Sequence, residues 1–155
     1  MDCTVSWVGS KVAGGGLSAM SFLAQTGSGH SIVMDGAPDA AKPELSGANL
    51  GARPMELLLA GAGGCTAYDV VLILKRGRHD VRACSVQIKA ERAEQDPKVF
   101  TAINFHFTIT GNVPAAAVER TIAMSHDKYC SATIMLGKTA AVTTSFEILP
   151  VAAGA

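Results

Sequence analysis

The sequence predicts an α+β fold with mostly antiparallel strands. Three observations carry that reading. Two long stretches, 81–92 and 98–110, place apolar residues at every second position, as half-buried strands do. A single unbroken apolar run, Met55–Leu74, has the length and continuity of a core helix. The order of elements is strands, helix, strands, helices, strand, which departs from the regular strand–helix alternation of a parallel sheet. The 155 residues fit one domain with a real hydrophobic core. It divides into an N-terminal strand meander over 1–35, a loop over 36–52, a central helix over 53–77, and C-terminal strands and helices over 81–149.

Residues 3–8 alternate, with Cys3, Val5 and Trp7 on one apolar face. Gly9 and Gly14–Gly16 mark a turn, and 17–25 and 30–34 read as two further strands around "TGSG". The proline- and glycine-bearing "DGAPDAAKPELSGANLGA" is a loop. Pro54 suits the first turn of the central helix, where its missing N–H has no partner to lose. Lys75, Arg76 and Gly77 suit its end, the cations facing the negative pole of the helix. In 81–92 the inward face is Cys84, Val86, Ile88 and Ala90; in 98–110 it is Val99, Ile103, Phe105, Phe107 and Ile109, with "AEQDPK" as the hairpin loop. Pro114 opens a second helix bearing Val118, Ile122 and Met124. A shorter helix runs from Cys130 to about Lys138, and Val142, Thr144, Phe146 and Ile148 form the last strand.

Thirteen basic residues balance thirteen acidic ones, with no basic tract or charged tail. Nucleic acid and acidic partners are therefore not expected. Apolar residues make up 48% of the chain and charged residues 17%, which leaves little polar surface for a monomer and predicts an oligomer. The first ten residues carry neither a basic nor an apolar leader segment, so no signal peptide is expected. The apolar run approaches the roughly 20 residues of a membrane span. However, Glu56, Thr66, Tyr68, Asp69 and three glycines interrupt it, which predicts a core helix buried on nearly all sides and no membrane association. A cytoplasmic location follows, in which thiols stay reduced.

Four cysteines are the candidate chemistry. Cys84 and Cys3 lie on apolar strand faces and read as small buried hydrophobes. Cys65 follows Gly63 and Gly64 inside a helix, where each glycine costs about 1 kcal/mol relative to alanine. Either the glycines admit a close neighbour, or they leave space beside the sulfur for a substrate; the two readings are compatible. Cys130, in "HDKYCS", stands at a helix entrance. It is either an inert boundary residue or a thiol activated by the helix dipole, with His126 and Lys128 near it in sequence. His126 and Cys130 also have the i, i+4 spacing of metal ligands, but no second pair of ligands stands near them in sequence, so neither a metal nor a cofactor is expected. No C-x-x-C occurs.

The glycine-rich "ELLLAGAGGCTAYDVV" also invites a dinucleotide-binding reading, with Asp80 on a ribose. The full G-x-G-x-x-G is missing. Pro54 and Glu56 mark a helix start, and the later strands alternate rather than run continuously apolar. The dinucleotide reading is rejected.

Pro54-x-Glu56-Leu57, then "AGAGGC" entering an apolar helix, then "DKYCS" some 65 residues on, together resemble the OsmC/Ohr family. "VRACSVQIKAERAEQDPKVFTAINFHFTITG" fits that family's second half, and "SGHSIVMDG" is similar to its OsmC-like branch. The resemblance implies an OsmC-like fold: antiparallel sheets packed around a long buried central helix, in an intertwined homodimer. It implies thiol-dependent reduction of organic hydroperoxides in an oxidative stress response, with a dithiol reductant that in this family can be a protein-bound lipoyl group. By position, Cys65 matches the peroxidatic cysteine and Cys130 the resolving one.

Two positions depart from the family's peroxidases. Their N-terminal Gly-Gly-Arg turn is Gly14-Gly15-Gly16 here, and no arginine precedes Arg53. Their glutamate directly after the helix-opening proline is replaced by Met55, with Glu56 one residue later and about 100° around the helix. Arg53 and Glu56 either rebuild the activating pair from a new direction, or serve as a solvated loop charge and a helix cap. If they do not rebuild it, the alternative is a family member without efficient peroxidase activity, acting as an apolar small-ligand binder or redox sensor.

Overall fold

The computed structural model describes residues 1–9 and 18–151. The Gly14–Gly16 turn and the start of the second strand predicted for 17–25 lie outside the described residues. The chain divides into two compact units, Met1–Leu58 and Leu59–Ala155.

The first unit holds a three-stranded antiparallel sheet of β1 (Cys3–Trp7), β2 (Phe22–Thr26) and β3 (Ser31–Met34), with β2 in the centre. Cys3 pairs with Thr26 and Trp7 with Phe22 in register. The predicted burial of Cys3 does not hold. Every residue of β1 is exposed, with Val5 and Trp7 both more than half so. β1 is an edge strand, and its alternation marks an apolar face that the described residues leave uncovered. The loop after β3 contains one short 3₁₀ turn, Pro43–Leu45. It folds around Asp35, a fully buried carboxylate that accepts the N–H groups of Gly36, Ala48 and Leu50 and the hydroxyls of Ser18 and Ser21. Those five donors satisfy both oxygens. Burial alone raises the pKa of such a group; here the Ser18 hydroxyl and the three N–H groups outweigh it and hold the carboxyl well below the usual carboxylate range.

Helix α1 (Pro54–Arg76) begins in the first unit and continues in the second. Arg53 is its N-cap. The Arg53 N–H donates to the Glu56 carboxylate at 3.0 Å, while the Arg53 carbonyl accepts the N–H groups of Glu56 and Leu57. Glu56 therefore performs the capping role open to a third-position carboxylate. At the other end the left-handed residue is Arg78 (φ 60°) rather than Gly77, and the His79 N–H reaches back to the Leu74 carbonyl. Ala62, Thr66, Val70 and Leu74, four residues apart, form one buried stripe with Gly63 beside it. Burying Val70 and Leu74 contributes roughly 1.5–3 kcal/mol each. The helix is long and apolar enough to cross a membrane by length and composition, yet only 28% of its most apolar window is buried. In a single chain α1 is thus buried along one stripe, not on nearly all sides, and Tyr68 projects from it 69% exposed.

The second unit is built on the sheet β4 (Asp80–Arg92), β5 (Phe100–Asn112) and β6 (Ala141–Leu149), with β5 central. β4 and β5 form the expected antiparallel hairpin; β6 runs parallel to β5, because two helices intervene and return the chain in the same direction. The inward face of β5 is Ile103, Phe105, Phe107 and Ile109, all 1% exposed or less. Val99 does not join it. A register irregularity at Glu91/Arg92 ends the ladder at Phe100, and Val99 is exposed in the hairpin loop. α2 (Ala115–Met124) buries Val118 and Ile122 and contacts β6, and α3 spans Ser131–Leu136. Between them the expected helix end is instead a π-helical turn, Ser125–Tyr129, closed by Cys130 N–H to Ser125 C=O at 2.8 Å.

Candidate functional site

The site is assembled in the second unit from α1 and the π turn. Cys65 and Asp69 are four residues apart on α1, hence on one face, with Thr66 on the buried stripe beside them. A π turn holds one residue more than an α turn, and such turns concentrate at functional sites. This one ends at Cys130, which turns to extended geometry (φ −76°, ψ 94°) and caps α3. Cys130 is fully buried; its thiol points to the Ala62 carbonyl at 4.0 Å, and its own carbonyl accepts the Thr133 hydroxyl. The sulfurs of Cys65 and Cys130 and a carboxylate oxygen of Asp69 all lie within 4.8 Å of one another. Both cysteines are free thiols.

A polar network supports this trio. Ser125 Oγ donates to Asp69 Oδ2 at 3.0 Å, stands 2.9 Å from Thr66 Oγ1, and Thr66 Oγ1 in turn stands 3.2 Å from His126 Nε2. Each hydroxyl has one proton to give. Ser125 gives its proton to Asp69, so Thr66 must donate to Ser125, and His126 must donate to Thr66 through Nε2–H. The network therefore has a direction, from His126 through Thr66 and Ser125 to Asp69. It also fixes the imidazole tautomer and leaves His126 Nδ1 as a buried nitrogen with no partner. Phe105 and Phe107 meet that ring edge-on, at centroid distances of 5.2 and 6.2 Å, and so tie the core of β5 to the site. Burial lowers the His126 pKa, partly countered by Asp127 and Asp69, which keeps the ring neutral at pH 7.

Cys65 is pushed the other way. Burial raises its pKa, as do the hydrogen bond with Cys130 and the negative charges of Cys130 and Asp69; the N–H of Ala132, in the first turn of α3, lowers it. The helix entrance thus supplies its N–H to Cys65, whereas the sequence points to Cys130 as the beneficiary. Lys128 lies over the Tyr129 ring at 5.4 Å from its centroid. Arg53 and Glu56 belong to the first unit, and Glu56 is engaged at the helix cap.

The three glycines divide the two roles the sequence left open. A Cβ on Gly63 would stand 2.6 Å from the end of Ile88, so this glycine lets α1 approach β4. Gly61 and Gly64 have open space where a Cβ would go. Gly61 is one turn before Cys65 on the same face. Gly64 lines a cleft of about 410 Å³ with Ala67, Tyr68, Val71, Leu72 and Cys84. Cys84 is accordingly half-buried at a cleft wall rather than sealed in the core.

The sequence named Cys65, Cys130 and His126 but passed over Asp69, Thr66 and Ser125 as site residues. One signal was present: Asp69, a carboxylate one helical turn after Cys65 in an otherwise apolar helix. Ser125, which bonds to it, lies 56 residues away and gave no signal.

Residues 47–145 match the family model described as OsmC-like protein. Protein YhfA of Escherichia coli (strain K12) is 41% identical over 150 residues, covering 96% of this chain and 98% of its own. A hypothetical protein from Aquifex aeolicus VF5 is 27% identical with a TM-score of 0.78, covering 97% of this chain and 96% of its own. An organic hydroperoxide resistance protein OsmC from Legionella pneumophila shares the fold at 18% identity, with a TM-score of 0.64 and coverage of 95% and 97%.

Proposed function

The chain belongs to the OsmC-like protein family, and from that premise we propose that it is a thiol peroxidase for organic hydroperoxides, with Cys65 peroxidatic and Cys130 resolving. The observation that carries the reading is the approach of the two free sulfurs to within 4.8 Å, beside a helix face opened by Gly61. Disulfide formation brings cysteine Cα atoms to about 4.4–6.8 Å, a geometry within reach of thiols already this close. A fold-level parallel with the Legionella organic hydroperoxide resistance protein supports the substrate class. So does the apolar, helix-lined cleft that begins at Gly64.

The Cys65 thiolate attacks the terminal oxygen of the hydroperoxide. The O–O bond breaks, Cys65 becomes a sulfenic acid, and the alkoxide leaves as the alcohol after taking up a proton. Cys130 then displaces water from the sulfenic acid and forms the Cys65–Cys130 disulfide. An external dithiol, such as a lipoyl group, reduces it by exchange and is itself oxidised to a disulfide. The thiol form of the cycle fits a cytoplasmic setting. The exposed apolar residues, Tyr68 on α1, Val5 and Trp7 on β1 and Met135 on α3, support a homodimer in which a second copy covers them. Activation by Arg53 and Glu56 belongs to the same proposal, supplied within that dimer.

One observation favours a second reading, a redox sensor or apolar-ligand binder of low turnover. The neighbours Cys130 and Asp69 both raise the Cys65 pKa and oppose its thiolate. Stopped-flow oxidation of the reduced protein by cumene hydroperoxide and by hydrogen peroxide decides between the two. Fast oxidation that prefers the organic peroxide and disappears in Cys65→Ser is the peroxidase result. A rate no greater than that of an ordinary free thiol, for both peroxides, would exclude turnover and leave the sensor or binder.

A further inference from the structure

Beyond peroxide chemistry, we propose that Cys65, Asp69 and Cys130 in the reduced chain form a three-donor site for a soft or borderline d¹⁰ metal ion of the zinc type. It shares two residues with the peroxidase reading but does not rest on it. Two sulfurs and one carboxylate oxygen within 4.8 Å of one another are a donor set suited to zinc, with an open fourth position. At zinc bond lengths of about 2.3 Å to sulfur and 2.0–2.2 Å to oxygen, donors on one tetrahedral ion stand roughly 3.3–3.8 Å apart. Side-chain rotation of an ångström or so closes that difference.

One of the donors already has the outer partner that metal ligands use. Ser125 Oγ–H holds Asp69 Oδ2 at 3.0 Å and leaves Oδ1 outside the network, open to an ion. Cys65 and Asp69, at i and i+4, are fixed on one rigid helix, and Cys130 is held by the π turn and the Thr133 cap. Three groups that are anionic as ligands repel one another when crowded together, and a divalent cation converts that repulsion into attraction. His126 is not among these donors: the group within ligand reach among the described residues is Cys65, Asp69 and Cys130, and His126 Nε2 is turned to Thr66.

Binding is balanced by loss of one proton from each thiol: the ion enters, two S–H bonds break, and two protons leave to solvent. Oxidation to the Cys65–Cys130 disulfide removes two of the three donors. The site therefore exists only in the reduced chain, and an ion in it protects both sulfurs from oxidants.

The test uses Cd²⁺ as probe and no peroxide, so its outcome is independent of peroxidase turnover. Reduced protein is titrated under anaerobic conditions while the thiolate-to-metal ultraviolet charge-transfer band and proton release are followed. Circular dichroism checks that each variant is folded. The expected result is one ion per chain with two protons released, unchanged in Cys84→Ser and lost in Cys65→Ser, in Cys130→Ser and after diamide oxidation. Asp69→Asn, which keeps the Ser125 hydrogen bond, is expected to weaken binding by about tenfold or more. Absence of the band at stoichiometric Cd²⁺ would overturn the site. So would wild-type affinity in Asp69→Asn, or a band that persists in folded Cys65→Ser.

Discussion

Asp35 and Asp69 are both aspartates drawn into the protein, and they are treated in opposite ways. Asp35 receives five hydrogen bonds on two oxygens, from the backbone of the loop it organises and from two serines. Asp69 receives one, from Ser125, and stands beside two thiols, of which its charge raises the pKa of Cys65. A carboxylate whose capacity is filled is structure: it orders residues 36–52 and has nothing left to offer a ligand. A carboxylate whose capacity is partly open, among other reactive groups, is a cost to stability that the fold retains, and such places are where function is sought.

The largest effect expected from this contrast is on stability. Asp35→Ala strands three part-buried N–H groups and two serine hydroxyls and should lower stability by about 2–4 kcal/mol, read from denaturant unfolding. Its pH dependence has a definite sign. The folded carboxyl titrates lower than the unfolded one, so its contribution is fully present above the unfolded value of about 4 and is lost as pH falls toward the folded one. Asp69→Asn should do little to stability. A destabilisation equal to that of Asp35→Ala would break the comparison.

Next in size is the effect of Asp69 on reactivity. Its charge and that of Cys130 raise the Cys65 pKa, after burial itself. In a Cys130→Ser background, where Cys65 is the reporter thiol, Asp69→Asn removes one negative neighbour and increases the thiolate fraction near neutral pH. Iodoacetamide should then alkylate Cys65 roughly three- to tenfold faster, a shift of up to about one pKa unit. A slower rate would show that Asp69 assists the thiolate instead. Comparable in size is the relay: Thr66→Val leaves Ser125 and the His126 Nε2–H without their partner and should cost about 1–2 kcal/mol. The smallest expected effect is at Gly61. Gly61→Ala meets open space among the described residues and should stabilise the monomeric chain by up to about 1 kcal/mol. If that space receives a second copy or a substrate, the same substitution weakens dimerisation or slows oxidation.

The fold was legible in the sequence wherever a local period carried it. The alternation in β4 and β5, the apolar run of α1 and the capping pair Pro54 and Glu56 all report their own geometry. The parallel pairing of β6 was not legible, because the direction of a returning strand depends on the helices before it. Exposure was misread at Cys3 and along α1 for a related reason: alternation and apolarity mark a surface to be covered without saying which molecule covers it. At the site, Cys65 and Cys130 were found through the motifs around them. Asp69 was seen only as an interruption, and the π turn that brings Ser125 and His126 to α1 has no residue pattern of its own.

The most direct measurement is disulfide mapping by mass spectrometry after reaction of the reduced protein with one equivalent of cumene hydroperoxide. The account predicts a single Cys65–Cys130 disulfide in the wild-type chain and a Cys65 sulfenic acid trapped in Cys130→Ser, with Cys3 and Cys84 remaining as thiols. Oxidation centred on Cys84 or Cys3, or recovery of Cys65 and Cys130 as unreacted thiols while the peroxide persists, would contradict it.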